Sequence, residues 1–410
     1  YVNWLIVAKR LRKYSVICGD AITVPDFFAN RYRDKKVLKC VSALMIIIFF
    51  VPYTASGFAA CGKLFHSLFG VDYMAAMVIS AIVIVAYTTL GGFWAASTSD
   101  FIQSIVMSVV YSVGGIDVVA SNVKDLPGYI NLNATFDATT NSSSPYGIIT
   151  IFSTLAWGLG YFGMPHILLR FMAIEDKNKI KLSRRIASVW VVIAMAIAIF
   201  IGVIGHTMSQ VGVIDNLKDS ETIIVQIANV LSSHGILFAI IAGVILAGIL
   251  ASTMSTSDSQ LLAASSSVTE NLMDGVLGIK LSEKAKVIVA RCTVIGIAIV
   301  AIFLASNPDS SVFQIVSFAW AGFGSTFGPV MLFALFWKRS NKYGAISGMV
   351  AGGAMVFIWK FVVRPLGGAW DIYELLPAFI IACVFIIVIS LLTKAPEQEI
   401  IDEFDSVKNA

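Results

Sequence analysis

Residues 155–171 read LAWGLGYFGMPHILLRF, an apolar run that holds Gly158, Gly160, Gly163 and Pro165. A regular helix does not absorb this set easily, because glycine carries the largest backbone entropy and proline removes an amide donor. The segment is therefore expected to be an interrupted helix. At membrane depth, such breaks are tolerated where the freed backbone groups line a cavity or are buried in protein. Trp157, Tyr161 and Pro165 recur at steps of four and would share one face if the segment were helical. A kinked packing helix is the alternative, since Gly and Pro are common in membrane spans. The glycines also satisfy G-x-G-x-x-G, but no strand precedes them and aromatic side chains crowd the place of a phosphate, which excludes a dinucleotide loop.

Working outward, the composition makes lipid the solvent. Of 410 residues, 58% are hydrophobic and only 13% are charged, and the mean hydropathy is +0.84. These values exclude a soluble enzyme. Ten spans are expected, roughly 38–66, 71–91, 97–121, 146–171, 186–207, 235–264, 286–305, 310–337, 344–363 and 374–393, each able to cross about 30 Å of hydrocarbon. The connections KRLRKYS, NRYRDKKVLK, EDKNKIKLSRR, KLSEKAK and KRSNKYG are basic, while HSLFG, 122–145, 209–234 and SNPDSS are nearly free of Lys and Arg. The basic set is expected to be cytoplasmic. Lys63, Lys124, Lys218 and Arg364 are the outer exceptions, and the acidic amphipathic tail 397–410 falls inside. The net charge of +4 thus reports topology and not nucleic acid.

The chain begins at Tyr1 with what reads as the last turns of an apolar helix, so further helices are expected upstream. No direct repeat is evident. Cys18, Cys40, Cys61, Cys292 and Cys383 are scattered and read as packing residues. Asp219 or Ser220 is placed to cap an amphipathic helix on the outer surface. The sequons at Asn133 and Asn141 lie in a Ser/Thr/Asn-rich stretch where chance suffices. Gly57 to Lys63 imitates a P-loop, but Leu64 stands where magnesium requires Ser or Thr.

A second constellation is GILASTMSTSDSQLLAASSSVTEN, residues 248–271. Ser252, Ser255, Thr256 and Ser259 fall on one helical stripe. Two adjacent hydroxyls and a backbone carbonyl one turn earlier offer a sodium ion three hard oxygens, while the same residues also serve as helix-packing glue. Asp258 favours the ion reading, because a carboxylate within a span needs a cation, a partner or water. Asp100 follows Ser97, Thr98 and Ser99 and suits either ion binding or first-turn capping. Asp117 reads as solvated near an outer helix end. His66, His206 and His234 fall at outer ends or loops, and His166 follows Pro165 in the interrupted segment. None of the four forms a metal or triad pattern.

These stretches, with AITVPDFFANRY, FFVPYTASGFAA, YTTLGGFWAASTSDFIQ, FAWAGFGSTFGPVMLFALFWKR and YELLPAFI, give the chain its resemblance to the sodium:solute symporter family, most of all to the bacterial sodium/proline symporter branch. The resemblance implies an all-α polytopic membrane protein of LeuT-type inverted-repeat fold, here lacking its N-terminal helices. Residues 1–410 would be one transporter domain, with 1–121 the remainder of the first repeat, 146–337 the second, 344–393 accessory helices and 394–410 a cytoplasmic tail. It further implies that Ser255 and Thr256 match the hydroxyl pair of a sodium site, that Ser252 matches a carbonyl contributor and that Asp100 matches a carboxylate tied to sodium use. Trp157, Tyr161, Pro165 and Tyr53 match positions lining the solute site. Asp258 departs from the pattern, which carries serine there. The expected activity is sodium-coupled import of a small zwitterionic solute, first of all proline, across a bacterial inner membrane, with sodium the coupling ion and no cofactor. Another carboxylate solute such as pantothenate, and a membrane-embedded solute sensor, are the alternatives.

Overall fold

The computed structural model describes residues 1–410 apart from 22, 35, 87, 90–133, 138–141, 211, 216, 218, 280 and 410. A π-helical turn, Trp4–Ala8, leads into α1 (Lys9–Ile17), and α2 (Val24–Arg31) follows. Thr23 caps α2 by accepting the Asp26 amide, and Pro25 stands in its first turn, where no donor is needed. α3 (Val37–Phe69) and α4 (Tyr73–Ala86) come next. The interrupted segment forms α5 (Ile148–Gly160) and α6 (Pro165–Ala173). Then come α7 (Ile180–Gln210), α8 (Ile223–Ser232), α9 (Ile236–Ser266) with a π-helical extension Ser267–Val276, α10 (Glu283–Leu304), α11 (Val312–Phe336), α12 (Lys342–Ile358), α13 (Leu375–Leu392) and α14 (Gln398–Asn409).

Among the described residues, eight helices are long and apolar enough to cross a membrane. This corrects the expectation of ten. The expected span at 71–91 appears as an apolar helix described over Tyr73–Ala86, and the one at 97–121 lies outside the described residues. The protein is also not purely helical: Ala134–Asp137 and Ser142–Pro145 pair as an antiparallel hairpin within what reads in sequence as a plain loop.

α11 is the central post. Ala319 to Met331 are buried along its length, and α3, α5, α12 and α13 pack around it. One end of the bundle is basic and aromatic. There Arg31 is fully buried, its Nε donates to the Ala334 carbonyl at 3.1 Å, and its guanidinium lies over the rings of Tyr14, Tyr32 and Phe404. Phe404 belongs to α14, whose buried Ile400, Phe404 and Val407 form an apolar stripe, and Glu403 pairs with Arg33. The Arg10 guanidinium also sits over Phe404, at 5.0 Å.

At the other end, two of the basic exceptions to the charge rule have partners. Lys63 contacts Asp219 at 2.6 Å and Glu221 at 2.9 Å, and Arg364 contacts Asp371 at 2.8 Å and the buried Glu374 at 3.0 Å. Lys124 and Lys218 are outside the described residues. Asp219 caps the short 3-10 turn Ser220–Thr222 that leads into α8, as the sequence indicates. Glu221 accepts hydrogen bonds from Ser311 Oγ and from the Val312 and Phe313 amides, so it closes the N-terminus of α11. Burial opposes its ionisation, but the donors of Phe313, Lys63, Val312 and Ser311 together hold its pKa below the ordinary carboxylate range.

Candidate functional site

The break between α5 and α6 has an identifiable cause. Pro165 has no N–H, so the Tyr161 carbonyl four residues earlier has no helical donor. Asn3 supplies one: its Nδ2 donates to the Tyr161 carbonyl at 2.7 Å. The Trp157 carbonyl is served by Trp320 Nε1 at 3.0 Å. Asn3 thus satisfies the carbonyl that Pro165 leaves without a donor, and Trp320 fastens the last turn of α5 to α11.

Glycine lets the broken segment approach α11 closely. A Cβ at Gly160 would collide with the Trp320 indole, and one at Gly163 would strike the Phe323 carbonyl and the Gly328 amide. From α11, a Cβ at Gly324 would come within 2.8 Å of Gly160 Cα. The seam is therefore backbone against backbone, so the break is buried in protein on this side.

Trp157 and Tyr161 do not share one continuous helical face. Trp157 lies in α5, with its ring stacked on Trp320 at 5.2 Å, Phe313 at 5.4 Å and Tyr373 at 6.0 Å. Tyr161 follows the last residue of α5, edge-on to Trp320 at 4.8 Å, with 44% of its surface exposed. Pro165 opens α6 and is buried. Tyr53, on α3, faces the His166 ring at 6.3 Å. The structure thus gathers Tyr53, Tyr161 and Pro165 around the break and sets Trp157 in an aromatic stack with the later helices. The Tyr373 hydroxyl donates to the Ser317 carbonyl at 2.6 Å, and its amide donates to Ser153 Oγ at 2.9 Å, so the segment before α13 is fastened beside Trp157.

On α9, Ser255 Oγ and Thr256 Oγ1 both donate to the Ser252 carbonyl, at 3.2 and 3.0 Å. Three hard oxygens therefore converge within one turn. Because each hydroxyl gives its proton to the carbonyl, its lone pairs are left for a cation. Ser252 and Ser255 are half-buried and Thr256 is exposed. The opposite face of α9 packs on α3, where Ser257 sits against Gly57 and would collide with a Cβ there. Asp258 is fully buried, with Ser259 Oγ at 3.4 Å from its Oδ1. Asp100, Asp117 and the sequon residues Asn133 and Asn141 are outside the described residues. Among the described residues, no three His, Cys, Asp or Glu side chains group as a metal site.

Asn3, Trp320 and Tyr373 are the site residues that sequence reading passes over. Trp320 and Tyr373 fall inside stretches that carry the family resemblance, but nothing in their spacing distinguishes them. Asn3 has no local signal, because its partner lies 158 residues away.

A bundle of apolar helices around an interrupted helix, with a hydroxyl cluster on a second helix, defines a polytopic membrane carrier. The profile of the sodium:solute symporter family matches residues 1–352, and the chain belongs to that family. It is accordingly a sodium-coupled symporter of a small solute and not an enzyme. The osmoregulated proline transporter OpuE of Bacillus subtilis (strain 168) is 39% identical over 400 residues, covering 97% of this chain and 80% of that protein. The sodium/proline symporter of Staphylococcus aureus is 39% identical over 416 residues, covering 100% of this chain and 80% of the relative. Among solved structures, a Na+-coupled sialic acid symporter in a substrate-bound outward-open state aligns with a TM-score of 0.69 at 15% identity, over 97% of this chain and 82% of that one. At that identity, the likeness establishes the all-α polytopic fold alone.

Proposed function

We propose that the protein imports L-proline, a small zwitterion, together with sodium by alternating access across a bacterial inner membrane, with its C-terminus in the cytoplasm. The observation that carries this reading is the convergence of the Ser255 and Thr256 hydroxyls on the Ser252 carbonyl, in a chain 39% identical to carriers named for proline. Sodium binds at these three residues, aided by the carboxylates of Asp100 and Asp258. The solute binds at the break, against Tyr53, Trp157, Tyr161 and Pro165. The arrangement is a LeuT-type inverted repeat, with 1–121 and 146–337 contributing to the two repeats, 344–393 the accessory helices and 394–410 the tail.

Coupling follows from differential affinity. Sodium that binds the outward-open state more tightly shifts the population toward it, and a solute that shares this preference binds more tightly in turn. The aromatic rings at the break suit the apolar ring carbons of such a solute. Uptake of labelled L-proline by the full-length protein in proteoliposomes, with and without a sodium gradient, tests the reading. Saturable, sodium-dependent uptake is expected, and uptake indifferent to sodium would overturn it.

A further inference from the structure

We infer that Asn3 is a positioning residue of the solute site, holding in place the Tyr161 carbonyl that Pro165 leaves without a helical donor. The inference rests on the proposed reading that Tyr161 lines that site.

Asn3 is 6% exposed, and its Nδ2 donates to the Tyr161 carbonyl at 2.7 Å. Its Oδ1 is buried with no hydrogen-bond partner among the described residues. An apolar residue of the same size would fill the space without leaving an oxygen unpaired, so packing does not account for an amide here. The single bond it makes does, because that bond replaces the one a proline cannot give. The next residue fastens the same segment to the far side of the break: the Trp4 ring lies 4.6 Å from that of Phe171 on α6. The turn before α1 therefore grips both the end of α5 and the body of α6. Tyr161 is the residue most affected, since its ring touches Trp320 while much of its surface stays open. Its backbone tether fixes where that ring stands.

The test is Asn3→Leu, which keeps the branched shape of the side chain and removes the donor, in the full chain reconstituted into proteoliposomes. Two readouts are taken at saturating sodium: the concentration of labelled L-proline that half-saturates uptake, and the rate of tetranitromethane nitration of Tyr161 relative to Tyr343, read by mass spectrometry. Tyr343 is a fair reference, being 50% exposed on α12. The expected result is a half-saturating concentration raised about tenfold with maximal rate little changed, and a Tyr161 nitration rate raised roughly threefold as the break loosens. Unchanged nitration overturns the inference. If half-saturation shifts without it, Asn3 acts on the solute directly and not through Tyr161. A native half-saturating concentration with reduced membrane yield also overturns it, as a packing role. If the unaltered protein takes up no proline, the solute reading fails, and the nitration ratio alone decides the role of Asn3. Asn3→Ala is read by the same criteria should Asn3→Leu fail to reach the membrane.

Discussion

Lys63 and Glu221, 158 positions apart, meet at 2.9 Å, and the same carboxylate closes the first turn of α11. One charged contact thus ties the end of α3 to the central post through the segment that leads into α8.

The folded-state pKa of Glu221 lies below its unfolded value, so its stabilisation is present above about pH 4.3 and is lost as pH falls through the folded value. Glu221→Gln is expected to destabilise the protein by about 1.5–3 kcal/mol at pH 7, the scale of charged hydrogen bonds. It should also lose less stability than the unaltered protein on acidification below about pH 4. Thermal unfolding in detergent at the two pH values measures both effects. An unchanged melting temperature at pH 7 removes the clasp from the stability of this end.

Ser255→Ala and Thr256→Ala each delete one of the oxygens gathered at the Ser252 carbonyl. Each is expected to raise the half-saturating sodium concentration for uptake by roughly 3–10-fold, the scale of one lost polar contact. Sodium titrations of both variants, normalised to the amount in the membrane, decide the matter. Unaltered sodium dependence in both would move the ion site elsewhere.

Removing the aromatic side chains at the break should weaken solute affinity. Tyr161→Ala and Trp157→Ala are expected to cost roughly 1–3 kcal/mol each in binding. Trp157→Ala should also lower stability, because its ring is stacked on three others. Equilibrium binding of labelled proline alongside a thermal melt separates the two effects. Native affinity in a destabilised Trp157→Ala protein would confine Trp157 to packing.

The α3–α9 contact has no room for a methyl group at Gly57, where Ser257 Oγ stands. Gly57→Ala is expected to cost about 1–3 kcal/mol. Adding Ser257→Ala should recover most of it, since the Ser257 Cβ would stand 3.5 Å from the new methyl. A double-mutant cycle on melting temperature shows the rescue. Strict additivity would mean that the two helices separate by another route.

Asp258→Asn keeps the shape of a fully buried side chain and removes its charge. The expected outcome is a changed Hill slope for sodium with solute affinity at saturating sodium largely kept. Loss of membrane yield, rescued by neutralising a basic residue on a neighbouring helix, would instead mark structural pairing. Sodium titration and expression level are read together.

The membrane class and the interrupted helix were legible because both arise from local chemistry: apolar runs long enough for lipid, and a proline that no helix can use as a donor. The hydroxyl stripe was legible because helical spacing fixes which oxygens meet. Ten spans are expected where the described residues hold eight long enough to cross, with 71–91 described over Tyr73–Ala86 and 97–121 outside the described residues. The small hairpin was missed because Ser/Thr/Asn-rich sequence carries no alternating apolar pattern. Asn3, Trp320 and Tyr373 could not be found at all from periodicity. Their partners are carbonyls and rings in other helices, and the distance between them along the chain erases any local pattern.

The ring of Phe404 between Arg10 and Arg31 sets an order of assembly. Arg31 and the carbonyl it serves, that of Ala334, are separated by most of the chain, and the ring stacked against its guanidinium arrives later still. During synthesis, Arg31 must wait in water or at the lipid headgroups while each helix inserts, since an incompletely surrounded guanidinium is costly to bury. Only when residue 404 has left the ribosome can this end of the bundle close. α14 therefore works as a late-fitted lid on this end: until Phe404 docks between the two guanidiniums, a nascent chain carries an open, basic, aromatic-lined face there.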